Sequence, residues 1–134
     1  MKVTKISHIA IAGDSPEKTR VLYEDILGLK SGGSETVEQE GVTTHFYQAG
    51  DSSIELLEPF TADTPVGKFL EKRGPGLHHM ALEVEGLDDY VLKLKAAGIE
   101  LLSDAPTMGA HDMRIIFIHP KSAGGVLIEL CEKS

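Results

Sequence analysis

Four side chains in this sequence have the types and the spacing of a metal site. His8 opens the run Ile9-Ala10-Ile11-Ala12, and His79 opens Met80-Ala81-Leu82-Glu83-Val84. Glu55 lies in Ser53-Ile54-Glu55-Leu56-Leu57 and Glu129 in Leu127-Ile128-Glu129-Leu130-Cys131, so Ile-Glu-Leu occurs twice inside an apolar segment. A carboxylate flanked by apolar residues is costly to bury unless something cationic receives it. His8 and Glu55 are 47 positions apart (55 − 8), and His79 and Glu129 are 50 apart (129 − 79). A single histidine at a strand start is usually a packed or solvated residue. Four residues agreeing in type and interval point instead to one shared divalent cation. Imidazole and carboxylate donors suit zinc, cobalt, nickel, manganese or ferrous iron, whereas calcium would want more oxygens and a thiolate zinc site more cysteines. Two His and two Glu leave positions in an octahedral shell for water or a chelating substrate.

The elements that must position these residues follow from the same repeat. With side chains alternating along a strand, His79, Ala81 and Glu83 share one face, and Met80, Leu82 and Val84 the other. His8, Ala10 and Ala12 separate from Ile9 and Ile11 in the same way. The larger apolar face is expected to meet a core, and the alanines beside each histidine to leave room for a ligand. After the first strand, Ser15-Pro16-Glu17 predicts a helix start with proline at the first helical position. Val21, Leu22 and Ile26 recur on one face of that helix, and Gly28 suits a left-handed C-terminal cap. Ser31-Gly32-Gly33-Ser34 reads as a loop and residues 35–37 as a short strand. Residues 42–49 and 53–58 read as a hairpin about Gly50-Asp51-Ser52. Thr64-Pro65 begins a short helix with Val66, Phe69 and Leu70 facing inward, ended by Gly74-Pro75-Gly76. The pattern then restarts: a strand from His79, a helix through Leu87, Val91 and Leu94 capped by Gly98, a candidate strand at 99–102, a loop at 104–113, a strand at 115–119 and a last strand carrying Glu129. The chain therefore reads as α+β, two βαβββ modules at 1–62 and 77–134 joined by a bridging helix at 63–76, all within one domain of 134 residues.

Composition narrows the function. A formal net charge of −8 argues against nucleic-acid binding and against an anionic membrane surface. No apolar run reaches the length of a membrane span, and no signal-peptide pattern opens the sequence. A single cysteine, Cys131, builds no disulfide framework, so the expected compartment is the cytoplasm. Among the remaining histidines, His78 falls on the face opposite His79, His111 sits in a loop, and His119 precedes Pro120-Lys121. His45, on the strand next to the one carrying Glu55, either enters the cavity or is an ordinary hairpin residue. Cys131 shares the parity of Glu129, with packing its expected role.

At these residues the chain resembles the vicinal-oxygen-chelate (glyoxalase) superfamily, which pairs βαβββ modules into an open, partly closed mixed β-barrel around a metal. Within that group it is similar to the methylmalonyl-CoA epimerase family. The similarity lies in the run from Gly74 to Ala81, in His119-Pro120-Lys121-Ser122 and in the run from Gly125 to Leu130, with further matches at Asp104-Ala105-Pro106 and at 64–70. The resemblance implies His8, Glu55, His79 and Glu129 as ligands of one divalent ion, namely cobalt, zinc, nickel or manganese. It also implies an acyl-CoA substrate and a homodimer. The implied reaction interconverts (2R)- and (2S)-methylmalonyl-CoA through an enolate stabilised by the metal. Glu129 is then expected as one base, with Glu55, His45 or a water on the other side. Several family members carry a glutamate after the Gly-Val pair matching Gly41-Val42, where this chain has Thr44. Lys121 with Ser122 is a candidate for holding a CoA phosphate or the substrate carboxylate, or is a solvated turn lysine. Arg114 is a second anion-binding candidate. The alternatives are lactoylglutathione lyase, which shares the fold and a similar ligand set, and a non-catalytic antibiotic-binding protein of the same fold.

Overall fold

The computed structural model describes all 134 residues. Strands β1 (Lys2–Ala12), β2 (Lys30–Val37), β3 (Val42–Ala49), β4 (Ser52–Pro59), β5 (Gly76–Glu85), β6 (Thr107–Met108), β7 (Met113–Ile118) and β8 (Ile128–Lys133) are accompanied by helices α1 (Pro16–Arg20), α2 (Pro65–Arg73) and α3 (Leu87–Ala96). Hydrogen bonding links the strands in the order β2-β3-β4-β1-β5-β8-β7-β6, a mixed eight-stranded sheet. Each half thus realises the βαβββ order that the repeat predicts. By contacts the chain forms two units, His8–His78 and Met1–Ser7 with His79–Ser134, the division falling inside β1.

In the His8–His78 unit, β1 runs parallel to β4 with Ala10 beside Glu55 and Ala12 beside Leu57. The β3–β4 hairpin pairs Phe46 with Glu55 and Thr44 with Leu57, while β2 pairs Glu35 with Thr44 and Val37 with Val42. Residues paired in this way share a face. On the face carrying His8, the residues Ala10, Ala12, Val42 and Leu57 form a core with Val66, supported by Phe69 and Leu70 of α2. The alanines therefore leave no space beside them: neither has any exposed surface, because small side chains let α2 seat close to the sheet. Ile9, on the opposite face, is 39% exposed. Helix α2 starts as the sequence predicts, with Pro65 at its first turn and the Thr64 hydroxyl accepting from the Gly67 N–H at 3.1 Å. Gly67 has no room for a side chain, since a Cβ there would lie 2.8 Å from the Ala62 carbonyl carbon.

Two local readings change in this unit. The expected loop at 31–34 belongs to β2, where the glycine pair is absorbed as an irregularity in register between Ser31 and Ser34. Helix α1 passes at Val21–Ile26 into a π-helical turn, its Leu27 N–H reaching the Leu22 carbonyl at 2.8 Å. The wider turn breaks the 3.6-residue periodicity, and Ile26 is 71% exposed rather than inward-facing. Gly28 adopts the left-handed conformation expected of a cap, with φ at 70°.

In the other unit, β5 runs parallel to β8 with Ala81 beside Glu129, and β7 lies antiparallel to β8 with Phe117 opposite Glu129 and Arg114 opposite Glu132. One face packs Val84, Ile116 and Leu130 against Leu87 and Val91 of α3; the other packs Ala81, Ile115 and Cys131 with Met113 and Phe117. Gly86 precedes α3 and brings no capping side chain, so the Glu132 carboxylate of β8 accepts from the Gly86 and Leu87 N–H groups at 2.6 and 3.3 Å. The expected strand at 99–102 is reduced to one bridge, Leu101 to Ile118, and the second strand of this half is instead the short β6, paired with β7. The Glu100 N–H is taken by the Ser122 hydroxyl at 3.1 Å, so a side chain replaces a ladder partner at that point. No helix is long and apolar enough to cross a membrane.

Candidate metal centre

Each unit presents one buried histidine–glutamate pair, and the two pairs are built alike. In the first, Glu55 of β4 lies beside Ala10 of β1, and His8 stands two residues earlier on the same face. In the second, Glu129 of β8 lies beside Ala81 of β5, and His79 stands two residues earlier. Both modules thus place histidine and glutamate by the same offset in a parallel strand pair. His8 Nδ1 is 3.0 Å from Glu55 Oε2, and His79 Nε2 is 3.3 Å from Glu129 Oε1. All four residues are at most 8% exposed.

Burial pushes the His79 imidazole down to about 4, so at neutral pH it is uncharged and keeps a lone pair. Its ring meets the edge of Phe117 at 5.4 Å between centroids, with the planes at 90°. Phe117 was not legible in the sequence, because its face relative to Glu129 is set by the register of β7 against β8. The imidazole nitrogens and carboxylate oxygens of these buried pairs are the donors that a divalent cation takes. The residues present therefore fit a metal.

The other candidates lie elsewhere. His45 pairs with Leu56 across β3–β4, which turns its side chain to the face opposite Glu55, and its Nε2 is 3.0 Å from Glu58 Oε2. The structure does not bring it to the buried pair. Thr44, buried, shares the face of Glu55. Arg114 faces α3, away from the face of Glu129, with its Nη2 2.7 Å from Asp88 Oδ1 and its Nη1 3.6 Å from Glu132 Oε1. The Arg114 guanidinium in turn holds the Asp88 carboxyl below its ordinary range. Lys121 Nζ lies 2.6 Å from Glu100 Oε1, its N–H donates to His119 Nδ1, and Ser122 holds the Glu100 backbone. His78 packs against Phe69 of α2, and His111 occupies the left-handed region at φ 57°. The Cys131 thiol is buried and donates to the Leu82 carbonyl at 3.6 Å, so the cysteine serves packing.

Comparison with known proteins gives the family. The family model described as Glyoxalase/Bleomycin resistance protein/Dioxygenase superfamily matches residues 7–117. The chain is 43% identical over 130 residues to Uncharacterized protein YqjC of Bacillus subtilis (strain 168), covering 97% of this chain and 93% of that protein. It is 39% identical over 134 residues to the mitochondrial methylmalonyl-CoA epimerase of Dictyostelium discoideum, covering 98% and 80% of the two. A solved methylmalonyl-CoA epimerase in complex with methylmalonyl-CoA and NH4+ has a TM-score of 0.91 at 34% identity, over 99% of this chain and 96% of that one. The chain belongs to the glyoxalase/bleomycin resistance protein/dioxygenase superfamily and, within it, to the methylmalonyl-CoA epimerase family.

Proposed function

We propose that this protein is an epimerase interconverting (2R)- and (2S)-methylmalonyl-CoA, with one divalent ion held by His8, Glu55, His79 and Glu129. The observation that carries the reading is the pair of buried His–Glu sets built to one strand offset. It is supported by similarity, over nearly the whole chain, to proteins named for this reaction. That similarity favours the epimerase over lactoylglutathione lyase and over a non-catalytic antibiotic binder. Cobalt, zinc, nickel and manganese all suit the donor set. Bound there, the ion would stabilise, as a Lewis acid, the negative charge that gathers on the thioester oxygen as C2 loses its proton.

The remaining work falls to side chains. The C2–H bond breaks, its electron pair passes into a planar enolate, and the proton goes to a carboxylate; return of a proton to the opposite side of the plane inverts C2. Glu129 serves one side of that plane, and Glu55 stays with the ion. His45, facing away from Glu55 and held by Glu58, is left without a direct part. Lys121, exposed on its turn beside Ser122, would exchange its contact with Glu100 for an anionic group of the substrate. Arg114, engaged by Asp88 and Glu132, ties α3 to β8 instead. We further propose that the protein works in the cytoplasm as a homodimer. The exposed apolar residues Met1, Val3 and Ile6 at the start of the chain supply surface for a second copy, and sedimentation equilibrium distinguishes dimer from monomer.

The test is incubation of the metal-loaded protein with each enantiomer of methylmalonyl-CoA in heavy water, and separately with the hemithioacetal of methylglyoxal and glutathione. Deuterium should enter C2 with loss of optical purity, and the hemithioacetal should be left unchanged. Turnover of the hemithioacetal with no exchange at C2 would reverse the assignment.

A further inference from the structure

Inversion at C2 needs a proton-transfer group on each side of the enolate plane, and a carboxylate whose lone pair is committed to a metal is a weakened base. If Glu129 leaves the ion to take part, Glu55 must stay to hold it. The second group is therefore best sought among residues that share the face of Glu55 without belonging to the ligand set. On that face of β1–β4, strand parity and register place His8, Ala10, Ala12, Leu57, Val42, Thr44, Phe46 and Val37, none of them a carboxylate. Thr44 stands next to Glu55 on the diagonal, but a hydroxyl does not take a carbon-bound proton at neutral pH. The register pair of Thr44 on β2 is Glu35, on the same face, half-buried and one strand spacing of about 4.8 Å away. Apart from Glu55 it is the only carboxylate that the β1–β4 sheet presents on this side. Val37, two residues along β2, packs onto the Ala10–Leu57 core and fixes which way Glu35 points.

We infer that Glu35 is the second proton-transfer residue, serving the side of the enolate that Glu129 does not. This rests on the epimerase reading. In one direction Glu35 receives the C2 proton while the C–H electron pair enters the enolate, and Glu129 in its protonated form delivers a proton to the opposite side. In the reverse direction the roles exchange, and no other reactant is consumed. Glu35 thus takes the place that a glutamate at position 44 would fill from the neighbouring strand.

The experiment follows deuterium at C2 from each enantiomer separately, in the metal-loaded wild type, Glu35→Gln and the double variant Glu35→Gln/Thr44→Glu, with metal content and thermal midpoint recorded for each. Glu35→Gln should keep its metal and its fold and lose interconversion by about a hundredfold or more. It should still exchange the C2 proton of one enantiomer without inverting it, because Glu129 remains. The double variant should recover interconversion. Wild-type rates from both enantiomers in Glu35→Gln, or an equal fall for both, would overturn the inference, the latter because a purely structural residue has no reason to distinguish them. If Glu35→Gln fails to fold, the double variant decides: a folded, metal-loaded double variant that does not interconvert the enantiomers counts against the inference. A wild type inactive on methylmalonyl-CoA would sink the epimerase reading and this inference with it, whereas an active wild type and an unimpaired Glu35→Gln would sink only the latter.

Discussion

At the scale of the residue, a buried carboxylate facing a neutral imidazole is the feature that most needs a reason. Glu129 and His79, 3.3 Å apart, form such a pair. If Glu129 also moves the C2 proton, Glu129→Gln should lower deuterium exchange from one enantiomer, and interconversion of the two, by at least about a hundredfold while the protein stays folded. Normal metal binding together with wild-type exchange from both enantiomers would remove Glu129 from the reaction. His79 sets a second expectation, for the metal-free protein. Its folded value of about 4 lies below the ordinary histidine value, so the unfolded chain takes up the proton first. Stability linked to His79 is complete above about pH 6.5 and drains away as pH falls toward 4, by about 3 kcal/mol in all. Urea midpoints measured across that range should fall in the wild type and fall less in His79→Gln; parallel curves would show that the ring is not the cause. The two buried His–Glu pairs were legible in the sequence because they repeat. The directions taken by His45 and Arg114 were not, because a strand's parity relative to a site is fixed only once its register against the next strand is known.

At the scale of the element, the molecule uses one strand to finish another element's end. Helix α3 begins after Gly86, which has no side chain to cap it, and Glu132 reaches across from β8 to both exposed N–H groups. Glu132→Ala should therefore cost about 1–2 kcal/mol, read as a lowered urea midpoint, and Glu132→Gln should recover part of it. An unchanged midpoint for Glu132→Ala would mean that water caps the helix as well as the carboxylate does. Signals carried by local chemistry were legible: Thr64-Pro65 as a helix start, Gly28 as a cap, and the hairpin around Gly50. The segments that defied the sequence are those decided by distant partners. Residues 99–102 have the apolar content of a strand, yet Ser122 takes the Glu100 N–H. The glycines at 32 and 33 read as a loop, but β3 offers a ladder that absorbs them as an irregularity.

At the scale of the whole molecule, the proposed metal site depends on duplication. Each half carries the same strand offset between histidine and glutamate, and neither half alone offers more than two ligands of the proposed set. Two donors make a weak site, whereas four fill most of the shell of a first-row divalent ion and leave room for a substrate to chelate. The βαβββ repeat was legible from the sequence for the same reason as the His–Glu pairs: strand, helix and hairpin signals recur in one order.

The most direct test is a calorimetric titration of the metal-free protein with cobalt or zinc, in the wild type and with either pair removed, as His8→Ala/Glu55→Ala or His79→Ala/Glu129→Ala. One ion per chain should bind the wild type tightly, and removing either pair should weaken that single event by orders of magnitude. Two independent ions per chain, or tight binding that survives the loss of one pair, would contradict the claim that both halves serve one metal.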